Sequence, residues 1–97
     1  MKKYVRSDIE VTSAMQKLIQ NVADEFRKDM QFQEVSTFNE LKSLNDWDAS
    51  DIRSEIQYLV DRKFGGAMYD DGSTIIASDD SELSYRQFKR LVLAELK

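Results

Sequence analysis

The 97 residues suffice for one domain, and a 41% hydrophobic content with 10% aromatics supplies one core of modest size. The chain contains neither cysteine nor histidine, which removes disulfides, thiolate chemistry, zinc–thiolate and iron–sulfur sites, and every Ser-His or Cys-His catalytic device. The formal charge of −4 is unevenly spread: residues 36–78 hold Lys42, Arg53, Arg62 and Lys63 against eight acidic side chains, whereas the flanking stretches balance.

The first residues, Met1-Lys2-Lys3-Tyr4-Val5-Arg6, are basic, but no apolar stretch follows as a secretory leader requires. No uncharged apolar run approaches the ~20 residues that cross a bilayer, so a cytoplasmic protein with no membrane contact is expected. Val11, Met15, Leu18, Ile19, Val22, Ala23, Phe26 and Met30 recur at three- and four-residue steps and predict a helix over about 8–30. Ser7 and Glu10 have capping-box spacing, with Thr12 or Ser13 as a competing start because Ile9 falls off the stripe.

Gln31-Phe32-Gln33-Glu34-Val35 alternates and reads as a short strand. Thr37 and Glu40 form a second capping-box pair ahead of a helix over 38–44. Asn45-Asp46-Trp47 reads as a turn, and Asp48 as the N-cap of a helix over 49–63 whose inner residues are Ile52, Ile56, Leu59 and Val60. Gly65-Gly66 ends that helix. Residues 67–69 and 74–77 then read as a β-hairpin around Asp71-Gly72, because a tight turn needs positive φ at its centre. Leu83, Phe88, Leu91, Val92 and Leu96 predict a last helix over 81–96, capped by Asp79, Asp80 or Ser81.

The order is helix, short strand, short helix, turn, longer helix, hairpin, helix. From Ser36 to Ser78 it resembles the winged helix-turn-helix superfamily, through Thr37-Phe38-Asn39-Glu40-Leu41, Asp48-Ala49-Ser50-Asp51-Ile52-Arg53, Leu59-Val60, and Phe64-Gly65-Gly66 with its hairpin. The resemblance lies in element lengths and apolar spacing and extends over less than half of the chain. It implies one α+β winged-helix-like domain over 1–97. It also implies a non-enzymatic DNA-binding protein, a transcription regulator, whose second helix enters the major groove while the hairpin wing touches the backbone.

With Ile52, Ile56 and Leu59 inward, a rotation of 100° per residue turns Ser50, Ser54, Gln57 and Asp61 outward, flanked by Arg53 and Tyr58. Arg pairs with guanine, Gln with adenine and Ser with either, so Ser50, Arg53, Ser54 and Gln57 are the candidate base readers. Lys42, Arg62 and Lys63 are the candidate phosphate contacts, and Lys2, Lys3 and Arg6 a candidate basic arm. The first and last helices are candidates for joining two copies in a homodimer, which would present two reading helices to one duplex.

The acidity of 36–78 supports a different reading: a protein-interaction module that binds a basic protein surface through Asp70 and Asp71, the acids Asp46, Asp48 and Asp51, or Trp47 as an anchor. Other motifs reduce to structure. Asp46-x-Asp48-x-Ser50 opens like a calcium loop, but Asp51 stands where glycine is needed and Gln57 where a bidentate Glu is needed. Gly65-Gly66 lacks the Lys-Ser/Thr of a phosphate loop. No spacing singles out a catalytic carboxylate pair, and neither a cofactor, a metal nor a small-molecule substrate is indicated.

Overall fold

The computed structural model describes residues 11–69 and 72–97. Among them the chain forms four α-helices and one three-stranded antiparallel sheet, an α+β arrangement.

Helix α1, Ser13–Phe32, starts where Thr12 turns extended and its hydroxyl accepts the Met15 N–H at 3.1 Å. The competing start is therefore the one adopted, and Val11 and Thr12 are not helical; Ser7 lies outside the described residues. Its stripe, Met15, Leu18, Ile19, Val22, Ala23, Phe26 and Met30, is buried throughout. The strand expected over 31–35 does not form. Instead α1 runs on to Phe32, Glu34 adopts a left-handed φ of 60°, and the Val35 N–H returns to the Met30 carbonyl at 2.9 Å. The alternation there had no sheet to join, and Phe32 is left 87% exposed.

Helix α2, Phe38–Leu44, carries the complete Thr37–Glu40 capping box, and α3, Ala49–Tyr58, carries a second one in which Asp48 and Asp51 serve each other's backbone N–H groups. A π-helical turn over Leu59–Lys63 continues α3, closed by Phe64 N–H donating to the Leu59 carbonyl at 2.9 Å. Helical conformation thus spans 49–63 as expected. The chain then approaches the sheet closely. A Cβ built on Gly66 would lie 2.8 Å from the Ile76 carbonyl oxygen, so only glycine fits without displacing backbone.

Strands β1, Ala67–Met68, and β2, Thr74–Ile76, form the expected hairpin, and Gly72 supplies a positive φ of 71° with its N–H donating to the Tyr69 carbonyl at 2.7 Å. A third strand, β3 over Glu82–Ser84, pairs with β2 where the sequence pattern had predicted helix. The register sets Met68 and Leu83 opposite Ile75. All three are buried, while Ala67, Glu82 and Ser84 point outward, as the two-residue period of a strand demands.

Asp79, Asp80 and Ser81 form the β2–β3 turn rather than a helix cap: Asp80 is left-handed at φ 67°, and the Asp79 carboxylate accepts the Ser81 N–H at 3.0 Å and its hydroxyl at 2.6 Å. Helix α4, Tyr85–Glu95, starts only after Ser84, whose hydroxyl accepts the Gln87 N–H at 3.1 Å. It runs beside α1 in the same direction. The Thr12 and Ser81 hydroxyls meet at 3.0 Å at one end, and Arg27 donates to the Glu95 carbonyl at the other. One cluster of buried side chains unites α1, α3, the sheet and α4, and each large apolar member contributes roughly 1.5–3 kcal/mol. Phe26 extends it towards α2 and the α2–α3 turn, meeting Phe38 and Trp47 edge-on with ring centres 5.2 and 6.2 Å away.

Candidate nucleic-acid interface

The α2–α3 pair is fixed at its corner by local hydrogen bonds. The Asn45 side-chain amide donates to the Leu41 carbonyl at 2.8 Å and to the Gln33 side chain at 3.1 Å. Asp46 then takes φ 56°, and the Trp47 N–H donates to the Lys42 carbonyl at 2.9 Å. This corner aims α3 so that Ile52 and Ile56 are buried, while Ser50, Arg53 and Ser54 are exposed and Gln57 half-buried. Ser54, Gln57, Tyr58, Asp61 and Arg62 line a shallow depression of about 440 Å³ on that outer side. Tyr58, which the spacing sets on the flank of this face, is 58% exposed.

Arg53 is the best-defined of the four. Its guanidinium carbon lies 4.8 Å from the centre of the Tyr85 ring at the start of α4, a cation–π stack. A Cβ on Gly72 would lie 3.0 Å from the Arg53 Cδ, so the hairpin also lies directly against this side chain. Arg53 therefore joins α3, the hairpin and α4. Among the described residues the Tyr85 hydroxyl has no geometrically sound hydrogen-bond partner. Burial pushes its phenol above the ordinary range, and the Arg53 charge opposes that rise.

The expected phosphate contacts fare unequally. Lys63 donates to Glu25 of α1 at 2.9 Å, and Glu25 also accepts from Lys28 at 3.1 Å. The Lys63 bond foremost, and then Lys28, hold the Glu25 carboxyl below its ordinary value, while the same bond holds Lys63 above its own. Lys42 is half-buried. Arg62 is exposed and makes no ion pair among the described residues.

Trp47 is half-buried with its ring edge towards Phe26, leaving only part of it for a partner. Asp46, Asp48 and Asp51 are exposed around the start of α3, the last two already serving as caps. Asp70 and Asp71, like Lys2, Lys3 and Arg6, lie outside the described residues. The main apolar stripes of α1 and α4, the two helices expected to join copies, lie in the chain's own core, so a pairing of copies would use the residues outside those stripes.

A second group of cations escapes a count of charge by segment, because residues 79–97 balance in total. The structure separates them: Asp79, Asp80 and Glu82 fall in the turn and β3, whereas Arg86, Lys89 and Arg90 fall on α4 and Lys97 just beyond it. A helical wheel started at Tyr85 instead of Ser81 would have revealed this face. Among the described residues no group of three or more acidic side chains is gathered as for a metal ion, and no helix is long and apolar enough to cross a membrane. No family model matches the chain, and neither does any curated protein or solved structure.

Proposed function

We propose that the chain is a non-enzymatic DNA-binding protein of winged-helix type, acting as a transcription regulator. In this reading α3 lies in the major groove with Ser50, Arg53, Ser54 and Gln57 towards the base edges, and the β1–β2 hairpin is the wing. The observation that carries it is the stack of Arg53 on the Tyr85 ring with Gly72 of the hairpin against its stem. It holds a long cationic side chain in one orientation on the outer side of α3, beside the hairpin, and so reduces the conformational entropy lost when it pairs with a guanine edge. Lys42 and Arg62 flank α3 as backbone contacts. A homodimer would place two such helices on one duplex.

The test is selection from a random duplex library at low and near-physiological salt. One enriched sequence is the expected result, and a palindrome would speak for two copies per site. Arg53→Ala with Gln57→Ala should then weaken the selected site by roughly 1–3 kcal/mol per lost bidentate contact and relax the preference at the positions they read. An unchanged preference in the double variant would falsify the assignment of these readers.

A second reading is favoured by the three exposed acids around the start of α3, Asp46, Asp48 and Asp51. It is a module docking on a basic protein surface. A co-purified partner whose binding weakens with added salt and with Asp46→Lys is its expected signature.

A further inference from the structure

Helix α4 has two sharply different sides. Tyr85, Phe88 and Val92 are buried, and Leu91 and Leu96 pack against the same core. At 3.6 residues per turn, Arg86 and Arg90 fall within roughly 40° of each other on the opposite side, with Lys89 about 60° further round, and Lys97 follows two residues after the helix ends at Glu95. Arg86, Arg90 and Lys97 are exposed and Lys89 is half-buried; none of the four forms an ion pair among the described residues. The one acid of α4, Glu95, is turned to α1, where Arg27 approaches it at 3.9 Å.

This arrangement costs the free protein stability. The first turn of α4 contains no acid but contains Arg86, and a cation there opposes the positive end of the helix dipole by roughly 0.3–1 kcal/mol when exposed. Arg86 and Arg90, four apart, repel each other by a few tenths of a kcal/mol, about what an opposite pair would gain. A neighbouring polyanion relieves both penalties.

We propose that the outer side of α4, with Arg86, Lys89, Arg90 and Lys97, is the surface on which the protein holds the phosphate backbone of a nucleic-acid duplex. The choice of a nucleic acid rests on the function proposed above, but the footprint does not need α3 to read bases. From Arg86 to Glu95 the helix runs roughly 14 Å at 1.5 Å per residue, with Lys97 two residues further on. One strand of a duplex rises 3.4 Å per phosphate, so that length matches the rise of about four phosphates. A lipid surface fits less well: an interfacial helix buries its apolar side among acyl chains, and that side of α4 is spent in the core. The footprint also explains how a chain of charge −4 meets a polyanion, since among the described residues every acid but Glu95, itself turned to α1, lies outside α4.

The experiment measures binding of the full chain to a labelled random-sequence 20-base-pair duplex between about 50 and 200 mM KCl. Three to four phosphate contacts give a slope of log K against log salt of about −3. Arg86→Gln with Arg90→Gln should reduce the magnitude of that slope by about 2, and Arg86→Lys with Arg90→Lys should restore it. Lys28→Gln, which removes an exposed charge paired with Glu25, should leave the slope as it is. Thermal midpoints at or above the parental value establish that the variants are folded, the Gln pair being free of the dipole and repulsion penalties.

A slope indifferent to the Arg86 and Arg90 pair overturns the proposal, whatever sequence preference the protein has. A slope that responds, in a protein showing no sequence preference, upholds the α4 footprint while removing the role of α3. No duplex binding at 50 mM, with capture by phosphatidylserine vesicles or by poly-glutamate instead, overturns the duplex in favour of that partner.

Discussion

Glu55 sits half-buried on α3 where α1 brings Asp29 near it. Burial first, and then the Asp29 charge, raise the Glu55 carboxyl above its ordinary value; burial and Glu25 do the same to Asp29, against the pull of Lys63. A carboxyl with a raised folded-state pKa binds protons more readily in the folded chain than in the unfolded one. Stability therefore falls as pH rises from the ordinary carboxyl value through the raised one, and the penalty is complete above it. Glu55→Gln removes that penalty. The variant should melt at a higher temperature than the parent at pH 7, with the difference shrinking towards pH 4. Equal midpoints at pH 7, or a larger difference at pH 4, would show that the carboxyl is not strained. At this scale the legible residues are those with local partners. Thr37, Glu40 and Asp48 could be assigned from spacing because their acceptors and donors lie three residues away. Arg53 could be picked as an outward residue, but not its stack, because Tyr85 is brought beside it only by the tertiary fold.

Between Ala77 and Tyr85 the choice between strand and helix is made by pairing. Leu83 fits the apolar spacing of the last helix, yet it is held opposite Ile75 in β3, and the extra strand lets Ile75 be covered from both neighbours. The boundary was visible in one local signal: Ser84 and Gln87 have capping spacing, and the Ser84 hydroxyl both accepts the Gln87 N–H and donates to its side chain at 3.1 Å. Ser84→Ala should cost about 1 kcal/mol in denaturant unfolding, the usual loss of an N-cap hydroxyl. Ser84→Asp should recover most of it. If the alanine variant unfolds at the parental denaturant midpoint, the cap adds nothing and β3 alone sets the start of α4. The error over 31–35 has the reverse cause: two-residue alternation was present, but no neighbouring edge was available, and α1 continued through it. Period alone separates strand from helix over long runs and not over five residues.

Across the whole molecule, segregation of charge matters more than its total. Acids gather around the start of α3 and in the β2–β3 turn, and cations collect on the outer side of α4, so the molecule is attractive to a polyanion on one side and repulsive on average. The absence of histidine makes this separable by experiment. Between pH 7 and about 4.5 no new cation appears, since lysine and arginine are already charged, and only carboxylates change state. Asp29 and Glu55, with raised values, protonate first, while Glu25 and Asp79, with lowered ones, stay ionised. Acidification thus removes general repulsion without adding a phosphate contact. Duplex binding should tighten as pH falls to about 4.5, and the slope against log salt, which counts phosphate contacts, should stay constant. A steeper slope at the lower pH would mean that cations now held by carboxylates, Lys63 on Glu25 foremost, are released to the duplex. Affinity independent of pH would mean that the acids lie too far from the bound duplex to be felt through a screening length of about 10 Å at 0.1 M salt, and that the cationic side of α4 acts alone.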